Sequence, residues 1–270
     1  MKQIPEGCKT TSECLAQALG DPVATGAVER ALRKKRLEEY KIKITVNPKD
    51  EDIFRNFETE KPLEEFRRFQ ERVSRAVVTH DAFQEIQLVA GVDVAYQGGR
   101  AYSACVVMDR SLNIVEKCEA SVQVNFPYVP GYFSLREGPA IMAAIEDVGK
   151  FDAIIVGAHG IAHPRGFGLA SQIGLELDKP SIGVAKGLLV GKTSESEDGS
   201  PIIWRGEVVG AKLCRTGHAP IYVSVGHKLC LETALDLIKD MLDNRLPEPL
   251  REAHRAASKL RKGSYSLSRT

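Results

Sequence analysis

Four side chains of this 270-residue sequence stand where catalytic groups are commonly placed. Asp93 lies inside the apolar run "VAGVDVAY", Glu137 follows the loop "PYVPGYF", Lys186 ends "SIGVAK" and His227 follows "YVSVG". An ionised carboxylate within so apolar a run is disfavoured unless a cation or hydrogen-bond donors meet it, which makes Asp93 the leading candidate for a metal ligand. Each of the four also has an ordinary structural use. Ser134 and Glu137 have capping-box spacing, in which the glutamate is occupied by its own backbone, and a lysine or histidine at a strand end is commonly solvated. Taken together, two acids, a lysine and a histidine at the ends of successive elements suit Mg²⁺-assisted hydrolysis of a phosphodiester. The acids would hold the ion and the cationic groups would stabilise charge on the phosphate.

The elements that must position these groups follow from hydrophobic period and turn punctuation. Residues 1–50 contain two helical patterns split by "GDP", the outline of a helix-turn-helix. A charged connector over 51–62 leads to an amphipathic helix from Leu63 to about Phe83, with Phe66, Phe69, Val73 and Val77 on one stripe. From Ile86 three alternating runs, "IQLVAGVDVAY", "RAYSACVVMD" and "LNIVEKCEASVQV", joined by short turns, predict an antiparallel meander. A helix from Ser134 to about Val148, strand "FDAIIV", helix "GFGLASQIGLELD" and strand "PSIGVA" come next. Two further strands and a helix over Leu231–Asp243 complete the pattern. The expected architecture is an α/β mixed sheet with flanking helices over 63–250, preceded by a small helical segment and followed by a basic tail over 251–270.

Composition narrows the class. A hydrophobic content of 43% supports a sizeable core, and a net charge of +1 neither favours nor excludes a polyanionic partner. Six cysteines are scattered singly, without zinc spacing, and are expected to be free thiols. No apolar run approaches the roughly 18 residues of a membrane span, and the N-terminus lacks the apolar segment of a signal peptide. A cytoplasmic, monomeric protein without membrane contact is expected. Neither a dinucleotide-binding glycine fingerprint nor a nucleophile elbow is present, which argues against a small-molecule α/β enzyme.

From about Leu63 to Met241 the ordered segments "GVDVAY", "PYVPGYFSLREGP", "HGIAHPRGFGLASQIG", "DKPSIGVAKGLLVG" and "YVSVGHKLCLETAL" closely resemble the endonuclease V family, deoxyinosine 3′ endonucleases with an RNase H-like fold. The resemblance implies cleavage of the second phosphodiester bond 3′ to a deaminated adenine in DNA, and for some members in RNA, with Mg²⁺ or Mn²⁺. It makes Asp93 and Glu137 metal-binding acids and sets Lys186 and His227 near the scissile phosphate. Pro127, Tyr128, Val129 and Pro130 match the wedge that enters the duplex, a device that offsets the stacking lost when a base is extruded. Gly131, Gly160 and Ile161 would line the pocket of the flipped base, and His163 and Arg165 would serve phosphate contact or local structure. The family pattern places a third metal-binding aspartate in an Asp-Gly pair where this sequence has Gly157 and Ala158. Asp152 lies five residues earlier and on the other face by strand alternation, and His159 offers a nitrogen better suited to Mn²⁺ than to Mg²⁺. A weakened metal site is therefore expected, the alternative being a protein that binds inosine or distorted DNA without cutting it. The N-terminal segment resembles the helix-turn-helix part of O6-alkylguanine-DNA alkyltransferases without their Pro-Cys-His-Arg motif, with Gly26 and Ser12 at the positions of the intercalating arginine and the nucleotide-rotating tyrosine. What remains is a DNA-positioning role for Arg30, Arg33, Lys34, Lys35 and Arg36.

Overall fold

The computed structural model describes residues 3–34, 45, 53–194 and 198–267. They fall into two units, Met1–Arg72 with Pro127–Pro130, and Val73–Phe126 with Gly131–Thr270.

Among the described residues of the larger unit, eight strands form one sheet in the order β3-β2-β1-β4-β5-β8-β7-β6. Strands β1 (Leu88–Gln97), β2 (Arg100–Asp109) and β3 (Ile114–Gln123) make the expected antiparallel meander. Strand β4 (Ala153–Val156) then pairs in parallel with β1, and β5 (Ser181–Ala185) in parallel with β4. The register Val92–Val156–Gly183 sets the C-terminal ends of β4 and β5 beside the middle of β1. Strands β6 (Pro201–Trp204), β7 (Glu207–Leu213) and β8 (Ile221–His227) complete the sheet in antiparallel pairings.

Every residue of β4 is buried because both faces of the sheet are covered there. Even-numbered residues such as Ala90, Val92, Ile154 and Val156 pack with Ile141 of α4 (Phe133–Ile145) and Ile173 of α5 (Leu169–Leu177). Odd-numbered Val89 and Ile155 pack instead with Leu237 and Ile238 of α6 (Leu231–Asp240) and with Leu250 and Ala253 of α7 (Glu248–Leu267). Helix α7 lies close on β1: a Cβ at Gly91 would come within 2.2 Å of the Pro249 carbonyl carbon. Farther along, Ala256 and Ala257 meet Ala95 and Ala104. The segment from 251 is therefore helical through Leu267 rather than the expected basic tail, with Ala253, Ala256 and Ala257 at helical spacing giving it a face that fits the sheet.

In the smaller unit, α1 (Ser12–Ala18) and α2 (Thr25–Lys34) are the two expected helices, separated by a 3₁₀ turn over Pro22–Ala24. The Thr11 hydroxyl accepts from the Cys14 amide, and the Asp21 carboxylate accepts from the Val23 amide at the intervening turn. Helix α3 (Pro62–Val73) continues into a single 3₁₀ turn at Ser74–Ala76 and stops well short of Phe83, since the β-branched pair Val77–Val78 is extended and the Val78 amide donates to His227 Nδ1 at 3.2 Å. The units divide at Arg72, ten residues beyond the expected boundary at 62, because the Leu63 amide donates to the Leu19 carbonyl and groups α3 with the N-terminal helices. Lys35, Arg36 and the start of the connector at 51–52 lie outside the described residues, as does the end of the 251–270 segment from 268. Among the described residues no helix is long and apolar enough to cross a membrane.

Candidate active site

Strand β1 carries Asp93 level with the end of β4. The Gly157 amide donates to the Val92 carbonyl at 3.2 Å, and a Cβ at Gly157 would lie 2.7 Å from Asp93 Oδ1 and 3.4 Å from Leu250 Cδ1. Position 157 thus opens directly onto the Asp93 carboxylate, on the odd-numbered face that α7 covers. From α7 comes a residue that sequence reasoning missed: His254 Nδ1 lies 2.5 Å from Asp93 Oδ2 across 161 residues of chain. The imidazole is half exposed, whereas the Asp93 side chain is mostly covered.

Glu137 approaches from the other side, on α4. The capping-box alternative does not hold: the helix starts at Phe133, its N-cap Tyr132 makes no side-chain cap, and the Ser134 hydroxyl is buried without a hydrogen-bond partner. The cause is the tight turn at Pro130–Gly131, which starts the helix one residue early and puts Ser134 inside it. Glu137 is instead buried and accepts from the Tyr96 hydroxyl at 2.9 Å, with the Arg136 guanidinium stacked 4.1 Å from the Tyr96 ring centre. Burial pushes the Glu137 carboxyl up to about 8; the Tyr96 hydrogen bond opposes the shift and the negative charge of nearby Asp93 adds to it.

The sign of a pH effect follows. The folded protein holds this proton up to about pH 8, whereas an unfolded chain releases it near 4.5, so the folded state binds more protons in between. The unfolding free energy of the metal-free protein should fall as pH rises from about 5 to 8, and Glu137→Gln should flatten that slope in denaturant titrations. An identical slope in the variant would assign the proton to another group.

Lys186 is exposed at the C-terminal end of β5, the same end of the sheet as Asp93 and Gly157. His159 accompanies it: its ring bonds the backbone of Gly187, its Nδ1 is buried without a partner, and burial lowers its pKa to about 4, so it is neutral at pH 7. Asp152 is used locally, accepting from the Gln87 and Leu88 amides at 2.9 and 2.8 Å. His227 is not brought to Asp93. It pairs with Ser181 at the start of β5, the opposite end of the parallel strands, where it is 2% exposed and accepts from Val78. Burial lowers its pKa, as does the neighbouring Lys228. Its place at the end of β8 fixes this, because β8 runs antiparallel to β5.

The remaining candidates divide by environment. His163 is buried; its Nε2 donates to the Gly131 carbonyl at 3.1 Å, and its Nδ1 accepts from the Arg165 amide. The Arg165 guanidinium also donates to that carbonyl and stacks 4.6 Å from the Tyr132 ring centre. Both residues thus fix the loop end at Gly131. The Gly160 amide donates to the Ser224 hydroxyl and the Ile161 amide to the Val225 carbonyl, so this turn is seated on β8. Within Pro127–Pro130, Tyr128 is 48% exposed while Val129 is 2% exposed, so Val129 anchors the loop and only the tyrosine presents a ring outward. Arg30 of α2 donates to the Tyr128 carbonyl at 2.7 Å, with its guanidinium 5.9 Å from the Tyr128 ring centre. One of the five bases expected to contact phosphate is therefore occupied with the loop.

A mixed sheet whose central strands are parallel, covered by helices on both faces and carrying its acids and lysine at one end of those strands, is the frame of an RNase H-like nuclease. The family model for endonuclease V matches residues 71–255. Endonuclease V of Roseiflexus sp. (strain RS-1) is 44% identical over 204 residues, spanning 73% of this chain and 92% of the relative. The crystal structure of endonuclease V from Streptomyces avermitilis superposes with a TM-score of 0.70 at 33% identity, covering 77% of this chain and 95% of that one. The Ciona intestinalis enzyme, solved with a 24mer DNA containing an inosine followed by a ribo-adenosine, shares the fold at 24% identity and a TM-score of 0.70, over 76% of this chain and 99% of that one. The chain belongs to the endonuclease V family.

Proposed function

We propose that this protein is a deoxyinosine endonuclease that cuts the second phosphodiester bond 3′ to the deaminated base in a divalent-metal-dependent reaction, at a rate reduced by Gly157. The observation that carries the reading is the contact of His254 with Asp93 beside Gly157, with Glu137 near enough to feel the Asp93 charge and Lys186 at the same end of the sheet. The inosine-containing DNA held by the Ciona relative supports the substrate class.

The donor set fits a divalent cation incompletely. Asp93 and Glu137 are the carboxylates that would hold it, and among the described residues no group of three or more His, Cys, Asp or Glu is arranged as a metal site. When bound, the ion supplies neutralisation of charge on the phosphate. Mg²⁺ dehydrates reluctantly and is served by carboxylates, whereas Mn²⁺ sits further along the affinity order for nitrogen and oxygen sites. A site short of one carboxylate is thus expected to work better with Mn²⁺ than with Mg²⁺.

The protein's own groups do the rest. His254 donates its Nδ1 proton to Asp93, which orients the ring and leaves Nε2 to take up a proton at the phosphate. The Lys186 ammonium stabilises phosphate charge. The exposed ring of Tyr128 fills the space of the extruded base, and Arg33 of α2 adds a phosphate contact.

The test is incubation of end-labelled duplex bearing one deoxyinosine with the unaltered protein in Mn²⁺, Mg²⁺ or chelator. Slow cutting at the second 3′ bond, faster in Mn²⁺, is the expected result. In the same assay Tyr128→Ala should lose about 1 to 3 kcal/mol of inosine-DNA binding, the range of one base–aromatic stack, with little change in melting temperature. The second reading, binding without cleavage, is favoured by the missing carboxylate at 157. Retained inosine preference with no product even in Mn²⁺ would establish it, and equal affinity for plain and inosine duplex would sink both.

A further inference from the structure

Helix α7 sorts its charges along its length. In its first half, Arg251 pairs with Glu248 and Glu252, and Arg255 bonds Glu252 at 2.7 Å. After Glu252 the sequence has no acid up to Leu267, while Lys259, Arg261 and Lys262 follow. Lys259 and Lys262 are exposed, turned away from Ala253, Ala256 and Ala257, which face the sheet, and neither has an ion-pair partner among the described residues. The helix macrodipole favours cations only in the last turn. Lys259 stands eight residues before the helix end at Leu267 and is not explained by it.

We propose that this face of α7 binds the sugar-phosphate backbone of the DNA duplex beyond the point held at Asp93. The inference rests on reading the protein as a DNA endonuclease, and it concerns residues past 255, where the match to the family model ends. His254 ties this helix to the site, because it touches Asp93. At about 1.5 Å of rise per residue, Lys259 lies about 7.5 Å and Lys262 about 12 Å farther along the axis. A DNA strand advances about 3.4 Å per base pair, so the two lysines reach phosphates within roughly three to four base pairs of the site. A duplex is the occupant that charge favours: the face carries cations without matching acids, and its partner must be a polyanion continuous with the substrate.

The experiment is the salt dependence of binding to inosine and plain duplexes, in chelator, for the unaltered protein and for Lys259→Gln/Lys262→Gln. Each lost phosphate contact lowers the slope of log K against log salt by about 0.9, so the double variant should lose about 1.8. Affinity should fall equally for both duplexes, leaving the inosine preference intact. Lys239→Gln on α6, which removes an equal kind of charge elsewhere, should leave the slope unchanged. An unaltered slope in the double variant, while the parent binds DNA normally, overturns the proposal. So does a loss matched by Lys239→Gln, or a larger loss of binding to anionic vesicles than to DNA. Failure of the parent to prefer inosine duplex would instead count against the endonuclease reading, with the slope still reporting on the lysines.

Discussion

Gly157→Asp, made together with Ala158→Gly, should raise cleavage of inosine DNA at least tenfold and move the metal preference toward Mg²⁺. A tenfold gain corresponds to about 1.4 kcal/mol of barrier, a modest demand for a third anionic ligand on a cation that binds oxygen. The geometry also sets a cost. A Cβ at this position would stand 2.7 Å from Asp93 Oδ1, so the Asp93 carboxylate must turn, and the new acid faces it at close range. Two unit charges 4 Å apart at an effective dielectric of about 20 repel by about 4 kcal/mol. In chelator the variant should therefore melt several degrees below the parent, and Mn²⁺ should restore more stability to it than to the parent. Thermal melts with and without metal read this independently of cleavage. A parent that already cuts in Mg²⁺ at a rate the double change leaves unimproved would mean that another group completes the site.

The second large effect is a loss. Asp93→Asn keeps the shape of the side chain but removes the charge that meets the His254 imidazole and that, in the proposed reaction, would hold the cation. Cleavage in Mn²⁺ should drop by at least a hundredfold, about 2.7 kcal/mol. Affinity for inosine duplex should stay within about twofold, since Tyr128 and the α7 lysines are untouched. Folding should be little disturbed, because His254 is half exposed and its ion pair contributes at most about 1 kcal/mol. Cutting that persists at the parental rate would place the reaction elsewhere on the molecule.

Much of this site is legible in the sequence because its parts are local. Asp93 announces itself as a charge in an apolar strand, and Lys186 ends an obvious buried run. Gly157 is conspicuous only beside the family pattern. The misplaced residue is the histidine. His227 follows a clear strand and reads as a strand-end group, but an antiparallel β8 delivers it to the far end of β5. His254 sits in "REAHRAASKL", a mixed-charge segment that reads as a tail, and its signal is the alanine spacing that seats α7 on β1. Glu137 shows the reverse case, a candidate weakened by a local alternative that the structure does not contain. Ser134 has capping-box spacing, but the turn at Gly131 decides where α4 begins. Pairings across 161 residues lie outside any periodicity, because they are set by which face of the sheet the last helix covers.

That last helix has a consequence for the making of the protein. Leu250 and Ala253 of α7 complete one face of the core, and His254 completes the site, within a single turn of the same helix. A nascent chain therefore lacks both until residues 250–254, made long after Asp93, have left the ribosome. Closing the apolar face and bringing an imidazole to Asp93 are one event, so an unfinished chain bears Asp93 without its partner.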